Sequence, residues 1–169
     1  MKKIVLLALC SLFTCCGRAQ MHAYSTNFTF SEADFADTIH IEVVDGQIMI
    51  PAVAGGITRH FCFDTGSGQG TVYAQDGAIP YKEVGNVVSR DAAGHQDTTK
   101  VAVLPDFRLG HLEVKGYVAS VFKQQVSRKY DAIIGFDFIN KGLCCKIDLR
   151  RKIMILTDRR NLFDGETGY

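Results

Sequence analysis

The chain has 169 residues, a net charge of +1, 47% hydrophobic residues and 22% charged residues. That length supports one domain with a real core and is too short for two full-sized ones. The balanced charge excludes nucleic-acid binding by bulk electrostatics, and the apolar fraction excludes a disordered chain.

Residues 1–19 read as a secretory signal. Lys2 and Lys3 give a positive start, Ile4 to Phe13 an apolar run, and Gly17-Arg18-Ala19 the small residues of a cleavage site before Gln20. The run is too short to span a bilayer as a helix, which takes about 20 residues. The expected location is therefore exported, either periplasmic or secreted. Leu12-Phe13-Thr14-Cys15 is a loose lipobox with a bulky Phe13, so lipid attachment at Cys15 or Cys16 is the competing reading. It is also the one route to a membrane. Cys10, Cys15 and Cys16 belong to this segment, which leaves Cys62, Cys144 and Cys145 in the exported remainder. An odd number makes a poor disulfide framework, and Cys62 and Cys144 lie in apolar runs that suit buried free thiols. Cys144 and Cys145 are adjacent, so on a strand they face opposite sides. The histidines are not spaced to complete a zinc site, so no metal and no cofactor is expected.

Residues 20–37 form a polar lead-in with scattered Phe, expected to be irregular or a first edge strand. From Thr38 the pattern changes to short apolar runs broken by Gly, Asp and Asn. Ile39 to Val43 alternates, Asp45-Gly46 punctuates, and Gln47 to Val53 resumes, a hairpin signature. Ala54-Gly55-Gly56 turns the chain into Thr58 to Phe63. Thr71-Val72-Tyr73 follows, and then Asn86 to Val88 and Thr99 to Val103 flank a polar tip. Phe107 to Gly110 with Leu112 to Val114 reads as another hairpin, and Tyr117 to Phe122 as a strand. Ala132 to Gly135 is a short apolar run closed by Gly, with one helical turn expected over Phe136 to Asn140. Lys146 to Leu149 and Lys152 to Leu156 pair across a basic turn, where Arg150 and Arg151 read as solvated surface. Residues 158–169, with Arg159 and Arg160, read as a polar tail or a truncated linker. Strands at this spacing without a helical period predict an all-β barrel or sandwich.

Chemistry concentrates at Phe61-Cys62-Phe63-Asp64-Thr65-Gly66-Ser67-Gly68. An apolar strand ends there in one carboxylate on a sharp bend, among backbone N–H groups and two hydroxyls. Gly66 lets the backbone approach the carboxylate where a side chain would obstruct it. Ser67 is expected to donate a hydrogen bond to Asp64. The glycines of Gly66 to Gly70 lack the Lys and the strand–helix setting of a phosphate loop. Asp137 is acidic enough for a second catalytic group but reads as a salt-bridged or capping residue, Asp131 and Asp148 as turn residues, and His95 and His111 as exposed loop residues.

Phe61 to Gly66, followed by Ala132-Ile133-Ile134-Gly135-Phe136-Asp137-Phe138-Ile139, resembles the retropepsin-like aspartic proteases over about Ile39 to Leu156. The resemblance implies a single lobe over 38–157, folded as a closed β-barrel, with the Asp-Thr-Gly loop on a two-fold or pseudo-two-fold axis. Asp64 is then the catalytic carboxylate and Thr65, Gly66 and Ser67 form its loop, with Thr65 bonding across to the partner loop. Ile133, Ile134 and Gly135 lie beneath that loop and support it. Val88 to Thr99 takes the position of the flap that closes over a peptide, with Asp91, Ala92, Ala93 and Gly94 at its tip; this tip is more polar than the viral one. The implied activity is peptide-bond hydrolysis, with a peptide or protein as substrate. One carboxylate per chain leaves three arrangements open: a homodimer supplying the second Asp, one half of a bilobal protease inactive alone, or a non-catalytic peptide-binding barrel.

Overall fold

The computed structural model describes residues 27–74, 79–90, 93–123 and 129–166. The signal segment with Cys15 and Cys16, and the flap residues Asp91 and Ala92, lie outside them. Chain order begins with β1 (Thr29–Phe30), β2 (Ala36–His40), β3 (Glu42–Val44), β4 (Gln47–Ala54) and β5 (Ile57–Phe63). Next come β6 (Gly70–Ala74), β7 (Lys82–Arg90), β8 (Gln96–Val103), β9 (Phe107–Leu109), β10 (Leu112–Lys115) and β11 (Val118–Lys123). The chain then passes through β12 (Ala132–Ile134), helix α1 (Phe136–Asn140), β13 (Cys144–Asp148) and β14 (Ile153–Thr157). The all-β class and the single helical turn match the sequence pattern.

Eleven strands form one sheet in the order β1-β10-β9-β4-β5-β12-β6-β11-β8-β7, with β3 also on β4. Among the described residues β7 and β1 end this ladder and no pairing joins them, so an all-β assembly is observed and barrel closure is not. A second sheet runs β13-β14-β2. The alternating run expected to be one strand at Ile39 to Val43 is split at Ile41, where the chain leaves β14 and joins β4. At the turn between β3 and β4, Asp45 and Gly46 have φ of 51° and 79°. Two successive positive φ values are what a tight hairpin bend needs to follow strand twist.

Strand alternation divides the apolar residues between two faces. Ile50, Phe61, Val72 and Ile134 enter the main core with Phe107, Tyr117, Phe138 and Met154. Their neighbours Met49, Cys62 and Tyr73 join Tyr130, with Val44 and Ile133 against them, in a smaller cluster. β12 lies between β5 and β6, parallel to the first and antiparallel to the second. That position carries Ile134-Gly135 to the end of β5, where the chain bends at Asp64.

The described part of the lead-in, from residue 27 on, holds a first edge strand and buried side chains. Phe28 and Phe35 are buried, β1 pairs with β10, and β2 starts at Ala36 rather than Thr38. Polar residues dominate the segment, but its three Phe side chains reach the core. The other end of the chain turns back onto this segment. The Asp158 carboxylate accepts from the Asp34 and Phe35 N–H groups at 2.8 and 2.9 Å, and Thr157 Oγ1 donates to Phe35 O at 2.6 Å. Lys146 of β13 pairs with Glu166 and lies over Phe163.

Candidate active site

β5 delivers Asp64 to the surface because its last buried residues, Phe61 and Cys62, fill opposite faces and the strand then ends. The Asp64 N–H donates to Ile134 O at 3.0 Å, and the Ser67 N–H to Asp64 O at 3.1 Å, closing a tight turn. The Gly66 N–H donates to Asp64 Oδ1 at 2.9 Å. A Cβ at Gly66 would stand 3.1 Å from that oxygen, so glycine lets the backbone and carboxylate meet. Asp64, Thr65 and Gly66 are exposed. The result is a solvent-facing carboxylate oriented by a backbone donor.

Beneath it, the Phe136 N–H donates to Ser67 O at 2.7 Å. A Cβ at Gly135 would stand 2.7 Å from both Ser67 O and the Gln69 carbonyl carbon. Those are backbone atoms that cannot swing aside, so the loop rests directly on the β12–α1 junction. Ile134 and Gly135 therefore meet the loop, whereas the Ile133 side chain turns to the Met49–Cys62 cluster. Ser67 behaves differently from the expectation. Its hydroxyl donates to Gln69 O at 2.7 Å rather than to Asp64, which tightens the loop and leaves Gly66 as the carboxylate's donor.

Among the described residues Asp137 has no salt-bridge partner, and it does not cap the helix. The helix has no side-chain cap, and Asp137 is 3% exposed. Its Oδ1 accepts from the Tyr117 hydroxyl at 3.0 Å, and its Oδ2 faces the Gly70 N–H at 3.5 Å. Tyr117, 1% exposed, has its hydroxyl oxygen 3.4 Å from the Gly135 N–H. Burial pushes the Asp137 carboxyl up to about 6, against the opposing pull of these hydrogen bonds. Burial and the neighbouring Asp137 charge push the Tyr117 phenol well above its ordinary value. The available sequence signal was an acid between Phe136 and Phe138 in an otherwise apolar run.

This raised carboxyl predicts a stability profile. The folded pKa exceeds the unfolded one, so the native chain binds the proton more readily. The contribution is present below the unfolded value of 3.8 and is lost as pH rises through about 6. Lowering pH from about 7.5 to about 4.5 should add about 2 kcal/mol through this group. Urea melts of wild type and Asp137→Asn at both values check it; the same pH increment in the variant would remove Asp137 as its source.

The other acids and the cysteines have local roles. Asp131 accepts from the His60 N–H at 3.0 Å and pairs with Arg59 at 3.3 Å. Asp148 accepts from the Arg151 N–H at 2.9 Å in the β13–β14 turn. Cys62, Cys144 and Cys145 form no disulfide among the described residues, and burial pushes Cys145 up to about 11. β7 and β8 form the hairpin expected as the flap, with register from Lys82–Val103 to Arg90–Gln96 and a bulge at Val84. Ala93 and Gly94 are exposed at its tip, Gly94 with φ of 88°.

The chain is similar to a solved retropepsin-like aspartic protease from Rickettsia conorii, at 16% identity and a TM-score of 0.48, over 77% of this chain and 92% of that one. It is also similar to the retroviral protease-like domain of Ddi1 from Leishmania major, at 11% identity and a TM-score of 0.41, over 66% of this chain and 95% of that one. No protein-family model and no curated protein matches the sequence.

Proposed function

We propose that this chain is an exported aspartic endopeptidase of the retropepsin-like kind, in which two copies each contribute one Asp64. The observation that carries the reading is the Asp64 carboxylate itself: exposed, oriented by the Gly66 N–H at 2.9 Å, on a loop with its own backbone closure. Two such carboxylates about 3 Å apart cannot both ionise cheaply, so they share one proton. The charged one takes a proton from a water between them, and the protonated one polarises the scissile carbonyl. An isologous interface delivers the same loop twice, as that geometry needs. Phe136, 47% exposed immediately after Gly135, supports the same reading, because it leaves an apolar ring beside the loop for a partner to cover. A peptide or protein substrate would lie across the two loops beneath the β7–β8 hairpins. Closure of those hairpins would exclude water and position the peptide.

Dilution tests the arrangement. Cleavage of a peptide library per mole of chain is expected to fall as the protein is diluted, in step with dimer dissociation seen by sedimentation. Undiminished cleavage by a strict monomer overturns the shared site. A stable dimer that cleaves nothing at any pH overturns the protease reading.

A further inference from the structure

The chain of donors beneath the loop has a direction. The Gly135 N–H faces the Tyr117 oxygen, the Tyr117 O–H donates to Asp137 Oδ1, and the Gly70 N–H points at Asp137 Oδ2. Every group in that sequence aims a hydrogen at the carboxylate side, which is the arrangement an ionised Asp137 accepts. The two backbone groups involved bracket the candidate active site. Gly70 is where the Asp64 loop re-enters β6. Gly135 is where the loop rests, through Ser67 O and Gln69. The fit is tight enough that a Cβ at Gly70 would stand 2.3 Å from the Tyr117 hydroxyl oxygen. Tyr117 is held in turn by Phe28 and Phe107, at ring distances of 5.1 and 5.7 Å.

We propose that Asp137 is the positioning residue of the Asp64 loop, its carboxylate fixing Gly70 directly and Gly135 through the Tyr117 hydroxyl, so that both supports of the loop are set by one buried acid. The inference rests on the proposed hydrolysis at Asp64, which the loop serves. Tyr117, from the segment before β11, is the titratable group facing Asp137. From β6 comes the Gly70 N–H, and from α1 come its own and the Phe138 N–H groups. Lys141, just past α1, lies over the Phe28 ring at 5.2 Å. Protonating Asp137 removes an acceptor from this donor chain, because its new O–H sits on one oxygen and opposes the donor that faces it, Tyr117 at Oδ1 or Gly70 at Oδ2. The loop is then released from one support while the surrounding core is untouched. Asp137 does not touch the reacting atoms; it acts through the loop.

The test reads the loop amides of the full processed chain by NMR across pH, together with peptide cleavage. In wild type, the Gly66, Ser67 and Gly70 amides are expected to titrate with a midpoint at about 6. They should lie flat through that range in Asp137→Asn. Tyr117→Phe should raise the midpoint, since its hydroxyl favours the ionised carboxylate. For cleavage, kcat of Asp137→Asn at about pH 7 should drop by about tenfold with KM within about twofold. Its acid limb near pH 6 should vanish. Amides that do not titrate in wild type, or that titrate unchanged in Asp137→Asn, overturn the assignment, as does a variant with wild-type kcat and limb. The wild-type titration needs no variant to fold and no substrate. A chain that cleaves nothing therefore sinks the protease reading alone, and the amides still judge the positioning role.

Discussion

Asp64→Asn should abolish peptide cleavage, with a loss on the order of 10²–10⁴-fold or more, while leaving the fold in place. The substitution is nearly isosteric. The Asn carbonyl can still accept from the Gly66 N–H, and the bonds of Asp64 N and O to Ile134 O and the Ser67 N–H are backbone bonds that the change does not touch. Because Asp64 is exposed rather than buried, little packing depends on its charge. What disappears is the base that takes a proton from water. Mixing the variant with wild type sharpens the test. If each site needs one carboxylate from each copy, an equimolar, re-equilibrated mixture leaves about a quarter of the dimers with both acids. A chain acting alone would leave about half of the molecules active. Full activity in purified Asp64→Asn dimer would show that the carboxylate does not carry the reaction.

How much of this was legible in the sequence depended on range. The hairpin at Asp45-Gly46 was readable because its turn chemistry is local, and α1 because Gly135 closes the apolar run just before it. The bend at Asp64 was readable for the same reason. What escaped notice depends on partners far away in the chain. Asp137 meets Tyr117 across 20 positions and Gly70 across 67, and no periodicity reports such a meeting. A bond from Ser67 to Asp64 is what the sequence leads one to expect. The Ser67 hydroxyl found Gln69 O, two residues on, at a geometry only the folded loop decides. The strand across Ile39 to Val43 alternates without a break, yet it changes sheets at Ile41, because β14 pairs with its first half and β4 takes the second.

The lead-in hides its burial for a different reason, and it carries the largest stability prediction. Its polar composition leaves irregular chain or a first edge strand open; β1 is that edge strand, and composition hides what three Phe side chains can bury. Phe28 is 0% exposed and meets Phe30, Tyr117 and Phe138 at ring distances of 5.5, 5.1 and 5.6 Å. It thus backs the ring whose hydroxyl reaches Asp137 and Gly135. Phe28→Ala removes a full aromatic side chain from a site enclosed by rings of β1, α1 and the segment before β11, where the neighbours can collapse only partly. The expected loss is about 3–5 kcal/mol, against a total stability for a domain of this kind of about 5–15 kcal/mol. In urea the midpoint should fall sharply with the slope unchanged, whereas alanine at exposed Asn27 should leave the midpoint within error. The hydroxyl of Tyr117 should also lose its fixed height, so cleavage by the folded fraction is expected to fall as well. A midpoint for Phe28→Ala within error of wild type would mean that residues 27–35 are a detachable strap and that the aromatic stack under the loop stands without them.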